Sequence, residues 1–490
     1  MRRSRMLKKE SPNVSRHLNE NVRTMKEQFS YGLNKDFSMR SLTIAFNQKQ
    51  GRMFYYSSTV NGEQMNLHII KPLLENEGKD ITDIVSVNNI QALTDFETIK
   101  EYINSGKAVL FVDHDSQAYG MDIASFEHRN IFKAENENVI KGPQDAFTES
   151  LNANISLIRK QLHQSQLINE GIQVGERSKN EVNILYNKDL VNPDILENVR
   201  QRIKDINVDT VRNIELLEQY LEERPYSLIP TILYTEKPDK ATSYLEDGFI
   251  ILLMDTSAAA LIVPVNFWCF FHTPEDRYLR FLYGNFSRAI RLLCFFLSSL
   301  ISAIYVAVSN FHSEMIPPDL LLAITASRER VPFPLIFEVI IMEVAFELIR
   351  EAGVRIPNPL GPTIGIVGAL ILGQAAVEAN IISPIIVIIA AVSGLSSFAL
   401  SEININFTIR ISRFIFIFAA GFFGMLSLVG AFLLFVMYTA SIKSFGVPYF
   451  SPMSPHFLSP NDTIFRKVIR REWLRPNYLK PKDLVKKRHR

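Results

Sequence analysis

In the stretch FEVIIMEVAFELIREAG, from Phe337 to Gly353, Glu338, Glu343, Glu347, Glu351 and Arg350 interrupt an otherwise apolar run. Carboxylates in such surroundings can pair with arginine, carry protons or attract cations. At about 100° per residue along a helix, Glu343, Glu347, Arg350 and Glu351 fall within roughly one third of the circumference, and Glu338 points elsewhere. Glu347 and Glu351 can reach Arg350 or Arg355, and Glu343 sits one turn before Glu347. A bare ion at bilayer depth costs several kcal/mol, so this face should look into protein, an aqueous cavity or the headgroup zone. The readings open at this point are a salt-bridged helix at the membrane surface, a cation-attracting vestibule or gate where several copies meet, and a proton-coupled transporter.

The next segment, NPLGPTIGIVGALILGQAAVEANIISP, spaces Gly361, Gly365, Ala369 and Gly373 four residues apart, with Gln374 and Glu378 at its polar end. Such a smooth stripe permits close helix contact, either as packing alone or as a pore-lining or hinge helix. Gly421, Gly424 and Gly430 read as packing positions.

Enzyme signatures are absent from the sequence. There is no H-E-x-x-H, P-loop, G-x-S-x-G or dinucleotide glycine pattern; Lys107 follows Gly106 without the rest of a phosphate loop. Asp113, His114 and Asp115 read as a solvated turn, and Cys269 and Cys294 as buried structural thiols without metal-ligand spacing. No catalytic residue, cofactor, metal or nucleic-acid partner is expected.

The elements that position these residues divide the 490-residue chain, too long for one core. The expected architecture is a soluble α/β N-terminal region of two repeated subdomains, followed by an α-helical polytopic membrane domain. The repeat joins ETIKEYINSGKAVLFVDHDSQAYGMDI (Glu97 to Ile123) to DKATSYLEDGFIILLMDTSAAALIVPV (Asp239 to Val265), with Tyr102 on Tyr244, Gly106 on Gly248 and Asp113 on Asp255. Each copy reads as a helix stopped by glycine, a strand, an Asp-led turn and a second strand. Between them Phe147, Leu151, Ile155, Ile158 and Leu162 recur at helical spacing, which predicts an amphipathic helix packing the subdomains together. The limits expected are a flexible basic arm at 1–50, the first subdomain at 51–140, a helical linker at 141–181, the second subdomain at 182–275, the membrane domain at 276–440 and a basic tail at 441–490.

Four apolar segments could span a hydrocarbon core of about 30 Å: 289–311, 363–379, 383–400 and 414–438. Arg288 and Arg291 are placed to snorkel at the start of the first. Twelve Lys and Arg after Ser441 outnumber three acids, which puts the tail on the cytoplasmic side. The N-terminus is basic with no apolar run behind it, so an export signal is not expected and the soluble region should share that side. Two cytoplasmic ends need an even number of crossings. The expectation is four spans, with the glutamate-bearing segment 333–352 re-entrant or interfacial.

The motifs VPFPLIFEVIIMEVAFELIREAGVRIPNPLGPTIGIVGALILGQAAVEANIISP, SYLEDGFIILLMDTSAAALIVPVNFWCFFHTPEDRY, YTEKPDKA, VGERSK and SFGVPYFSP resemble the A-subunit of the spore germinant receptors, the GerA family, over Gly142 to Pro452. The chain departs from the family pattern at Gln144, Asp145 and Ala146, where a basic residue, Glu and Gly are expected. The resemblance implies a protein of the spore inner membrane that acts with a transporter-like, nutrient-binding B-subunit and a C-subunit lipoprotein. It further implies a homo-oligomer, a pentamer, that opens as a cation channel on nutrient binding. A scaffold for the B-subunit and a secondary transporter are the other classes; the transporter is disfavoured because the repeat lies in the soluble region.

Overall fold

Continuous apolar runs such as Ala108–Val112 and Ile250–Met254 become central strands with every residue buried, in two five-stranded antiparallel sheets of a computed structural model. The structure describes residues 13–75, 80–87, 89–126, 137, 141–355, 371–400, 402–457 and 463–486. The chain forms two compact units: Met1–Glu223, Ile232–Pro264 and Trp473–Arg490 make the first, Arg224–Thr231 and Val265–Glu472 the second.

In the first unit, helix α1 (Leu18–Gln28) precedes a sheet ordered β1-β2-β4-β5-β3, from β1 (Phe37–Thr43), β2 (Gln50–Tyr56), β3 (Ile90–Leu93), β4 (Ala108–Val112) and β5 (Ala118–Met121), with helix α2 (Phe96–Asn104) packed on it. Helix α3 (Leu151–Gln161) precedes the second sheet, β6-β7-β9-β10-β8, from β6 (Leu167–Val174), β7 (Asn180–Asn187), β8 (Leu233–Thr235), β9 (Ile250–Met254) and β10 (Ala260–Val263), with helix α4 (Pro238–Asp247). The strand orders match one for one, as the repeat predicts. The aligned aspartates do the same job in each copy: Asp113 Oδ1 accepts the Leu18 N–H at 3.3 Å and Asp255 Oδ1 accepts the Leu151 N–H at 3.3 Å. A carboxylate there satisfies an orphan donor of the helix and complements its dipole. Asp115 is also engaged, accepting from Tyr119 Oη at 2.8 Å.

Two expected limits are corrected. Residues 1–50 are not simply an arm: α1 and β1 lie there, with Leu18, Met25, Phe29 and Phe37 buried against Phe96, Ile99 and Phe111. Their narrow stripe is masked by surrounding charge and is completed only by α2 and the sheet. Residues 141–181 are likewise more than a helical linker, because β6 and the start of β7 already belong to the second sheet.

The seam between the two subdomains holds Arg159 of α3. Its guanidinium meets Asp36 at 2.5 and 2.8 Å, donates to Asn34 Oδ1 at 3.3 Å and lies 3.8 Å from the Tyr56 ring centre, and both charged side chains are buried. Burial pushes the Tyr56 hydroxyl up to about 12 despite the nearby guanidinium. Beside this pair a polar cavity of about 340 Å³ is lined by Lys35, Glu181, Asn183 and Asp255 among others.

The second unit is helical: α5 (Phe281–Phe311), α6 (Pro318–Arg328), α7 (Leu335–Arg355), α8 (Pro384–Phe398) and α9 (Ile403–Ala440). By length and composition α5 and α9 are long and apolar enough to cross a bilayer. Yet α9 is not one rod. Phe423 (φ −135°, ψ 19°) and Gly424 (φ 64°, ψ −139°) leave the helical range. The Phe416 ring lies 6.3 Å from that of Phe432 and 5.8 Å from that of Phe435; a straight helix would hold these pairs about 24 and 29 Å apart. Ser427 Oγ donates to the Ala419 carbonyl freed by the break and to Gly424 O. Helix α9 is thus a hairpin with arms 403–422 and 425–440, and the single span expected over 414–438 is corrected accordingly. The unbroken apolar composition conceals the reversal.

Segment 333–352, expected to be re-entrant or interfacial, forms α7, about 31 Å long. It runs lengthwise beside the first arm of α9, with Ile336 against Gly421 and Glu347 against Arg410. Of the stripe Gly361, Gly365, Ala369 and Gly373, the first three lie outside the described residues; 371–378 are helical.

Gly424 adopts a backbone open essentially to glycine, and a Cβ there would come within 2.7 Å of Phe311 Cβ. Gly424→Ala should lower stability by about 1–3 kcal/mol or more, read as a drop in thermal midpoint in detergent; an unchanged midpoint would place the reversal elsewhere. Arg159→Met, which strands Asp36 in the seam, should cost about 3–5 kcal/mol, most of it recovered when Asp36→Leu is added; denaturant midpoints of the single and double variants check this.

Candidate functional site

The charged residues of α7 converge inside the helical unit because the chain supplies arginine opposite each buried carboxylate. Glu343 is fully buried. Its Oε2 accepts from Arg413 Nη1 at 2.5 Å and its Oε1 from Ser302 Oγ at 2.6 Å. Arg413, on the first arm of α9, also bonds Ser298 through its other two nitrogens: Nε donates to the carbonyl at 2.7 Å and Nη2 to the hydroxyl at 2.8 Å. Ser393 of α8 donates to the same Ser298 carbonyl at 3.2 Å. Four helices therefore share one hydrogen-bonded ion pair, packed round by Ala303, Val306, Val339, Met342, Phe416 and Ile417.

Toward the start of α7, buried Glu338 accepts from Arg328 of α6 at 3.3 Å and from the Ser383 backbone N–H at 3.0 Å. Toward the other end, Glu347 accepts from both Nε and Nη2 of Arg410, the former at 2.7 Å, and lies 3.7 Å from Arg350. Arg350 also donates to Ser397 Oγ at 2.5 Å and to Gly394 O at 3.3 Å. Glu351 is exposed at the end of the helix, Gln374 is exposed, and Gly373 is buried against Val387.

Glu343, Glu347 and Arg350 are thus brought together, with Glu338 inside the same unit near one end. Arg328, Arg410, Arg413, Ser298 and Ser302 were not singled out from the sequence. The signal for two of them was present in TIRISRFIFIF, where arginines stand in an apolar run just as the glutamates do in α7. A carboxylate clamped by a guanidinium is neither a ready proton acceptor nor a cation ligand until the clamp moves. Within one protomer the inner face of α7 is an electrostatic brace.

A second brace lies at the start of α5. Arg288 and Arg291, expected to snorkel, are instead buried on Asp276: Arg288 Nε donates to it at 2.9 Å and Arg291 from both Nη1 and Nη2, while Arg291 also reaches the Phe271 carbonyl. Burial raises the Asp276 carboxyl, but hydrogen bonds and charge from Arg291 and Arg288 outweigh it and hold the group below the ordinary carboxylate value. The apolar stretch around it lets a paired charge stay buried where a lone one would seek water.

Comparison with known proteins agrees with the motifs. The sequence model of the family described as Bacillus/Clostridium GerA spore germination protein matches residues 23–478. Spore germination protein KA of Bacillus subtilis is 33% identical over 484 residues, 96% of this chain and 88% of that one. Spore germination protein A1 of the same organism is 35% identical over 428 residues, 86% and 89% of the two chains. Among solved structures, the N-terminal domain of the A subunit of the Bacillus megaterium spore germinant receptor GerK3 aligns at 22% identity and a TM-score of 0.40, over 53% of this chain and 99% of that one. With a family match over nearly its whole length and relatives of this identity, the chain belongs to the GerA family of spore germination proteins.

Proposed function

We propose that this chain is the A-subunit of a nutrient-responsive germinant receptor of the spore inner membrane, multi-pass, and that it acts with a transporter-like, nutrient-binding B-subunit and a lipoprotein C-subunit. In this reading several copies, a pentamer by family resemblance, enclose a path through which monovalent cations leave when the receptor is triggered. Family membership and relatives named as spore germination proteins support the receptor role. The basic segments after the α9 hairpin, with Lys443, Lys467, Arg470 and Arg471, favour a cytoplasmic position for that end.

The observation that carries the conductive reading is the two-sided character of α7. Its inner carboxylates Glu338, Glu343 and Glu347 are held by arginines. Its outer stripe of Phe337, Ile341, Val344 and Leu348 is exposed and ends at exposed Glu351. Arranged around an axis, the apolar positions make rings that close by dewetting, and Glu351 makes a carboxylate ring that concentrates cations at the mouth. Gly373 and Gln374, the described part of the expected stripe that also includes Gly365 and Ala369, would line the neighbouring wall. Arg350, Glu343 and Glu347 hold α7 in register behind this surface.

The scaffold reading is favoured by a different observation: the carboxylates of the inner face are already neutralised within the protomer. Conductance of the purified chain in lipid vesicles separates the two, since a scaffold passes no ions alone.

On the channel reading Glu351→Gln slows potassium release from triggered spores several-fold at normal protein level; unchanged efflux would remove Glu351 from the path. The brace behaves differently. Arg413→Met leaves Glu343 buried without a partner and should cost about 3–5 kcal/mol, whereas Glu343→Met with Arg413→Met should recover most of it. Thermal unfolding in detergent of the two single variants and the double variant gives the coupling directly.

A further inference from the structure

The segment Thr463–Glu472, TIFRKVIRRE, lies beyond the α9 hairpin in sequence and is pinned to the first turns of α5. Arg466 is buried there: its N–H donates to Asn285 Oδ1 at 2.9 Å, its carbonyl accepts from Asn285 Nδ2 at 3.2 Å, and Nη2 donates to Leu279 O at 3.0 Å. His272 Nε2 lies 2.6 Å from the Thr463 carbonyl. The Arg466 guanidinium sits 5.6 Å from the Phe281 ring centre.

What this anchoring displays is unusual for a solvated tail. Phe465, Val468 and Ile469 are exposed, as are Lys467, Arg470 and Arg471 between and beside them. The α5 turn to which the segment is tied exposes Arg280, Phe281, Leu282, Tyr283 and Phe286. No acid occurs from Thr463 to Arg471, and Glu472, which follows, faces Arg277 at 3.7 Å. The patch therefore combines exposed apolar side chains with net positive charge, and it sits on the end of a helix long and apolar enough to cross a bilayer.

We infer that this patch is a membrane-surface anchor that takes anionic phospholipid headgroups, with Phe465, Val468 and Ile469 inserted at the acyl boundary and Lys467, Arg470 and Arg471 on the phosphates. The inference rests on the reading of the second unit as membrane-embedded. Apolar insertion and headgroup attraction reinforce one another, because each alone binds only weakly. Tethering to α5 removes the entropy that a free tail would lose on docking, so a short segment suffices.

The test is hydrogen–deuterium exchange of the full chain in nanodiscs of phosphatidylcholine with and without phosphatidylglycerol. Amides of 464–471 should exchange at least about tenfold more slowly with the anionic lipid, since three cations near such a surface supply roughly two orders of magnitude in binding. The protection should fall away in high salt and in the variant Lys467→Gln, Arg470→Gln, Arg471→Gln. Equal exchange in the two lipids, or protection that survives the triple substitution, overturns the inference. Protection that requires an added B-subunit and ignores lipid composition also overturns it, in favour of a protein partner. Resistance of the chain to carbonate extraction reads embedding separately: a chain that carbonate releases fails the membrane reading itself, and one that is retained without lipid-dependent protection fails only this inference.

Discussion

In a bundle of apolar helices an unpaired charge is close to forbidden, and the Glu343–Arg413 pair is where that constraint organises the second unit. Taking two ions out of water costs several kcal/mol each, and the loss is offset only when every donor and acceptor finds a partner. Here every charged nitrogen and oxygen is engaged: Ser302 takes the second carboxylate oxygen, and Ser298 accepts from the two guanidinium nitrogens that do not face Glu343. The partners come from α5, α7 and α9, with α8 joined through Ser393, so helices far apart in sequence must meet at one point. Register follows as well. Because Glu343 faces Arg413 and Glu347 faces Arg410, α7 and the first arm of α9 run antiparallel, and a slip of one residue breaks both pairs together.

The hairpin in α9 depends on the same economy of contacts. Its second arm returns along α5, bringing Phe432 and Phe435 back onto Phe416 and Phe432 onto Phe296. The reversal frees backbone carbonyls in an apolar stretch that offers few other donors. Ser427 occupies the place where its hydroxyl can serve them, so a polar side chain in a greasy arm is explained by a backbone debt eight residues earlier. Glycine at 424 supplies the backbone geometry and the room for Phe311.

The first unit shows how a duplicated fold acquires asymmetry. Eight residues after Leu18 stands Lys26, and eight after Leu151 stands Arg159, so the two lie at matching positions of α1 and α3. Lys26 sits over the Tyr31 ring at the surface, 5.0 Å from its centre, whereas Arg159 is buried on Asp36 of the other subdomain. A planar guanidinium can grip a carboxylate with two hydrogen bonds and stack on Tyr56 at once, which an ammonium cannot. The matched aspartates Asp113 and Asp255, by contrast, act within their own copies and keep the same role.

These cases also explain what could be read from the sequence. The repeat, the glycine helix stops at Gly106 and Gly248 and the family were legible because each depends on neighbours in the chain or on long runs of matching residues. A helix at α3 was legible too, but it is buried all along Ala153–Arg159 rather than along one amphipathic stripe, and Phe147 and Leu162 lie outside it. Part of the carboxylate face of α7 was legible for the same reason, since helical periodicity is local: Glu343, Glu347 and Arg350 do converge, whereas Glu351, expected beside them, is exposed and Glu338, expected to point elsewhere, is buried. Its partners were not: Arg413 lies 70 residues from Glu343 and Arg159 lies 123 from Asp36, and no periodicity carries that distance. The hairpin was hidden by a different mechanism, because hydropathy measures the cost of water and is blind to direction. The same blindness hides the pairing of Arg288 and Arg291, because hydropathy alone sends a charge beside an apolar run to the nearest water, whereas both meet Asp276 inside. A cation near the end of an apolar helix has two outlets, and the acid five residues upstream of the first residue of α5, Asp276, decides between them. Snorkelling is what such an arginine does only when no carboxylate can follow it inside.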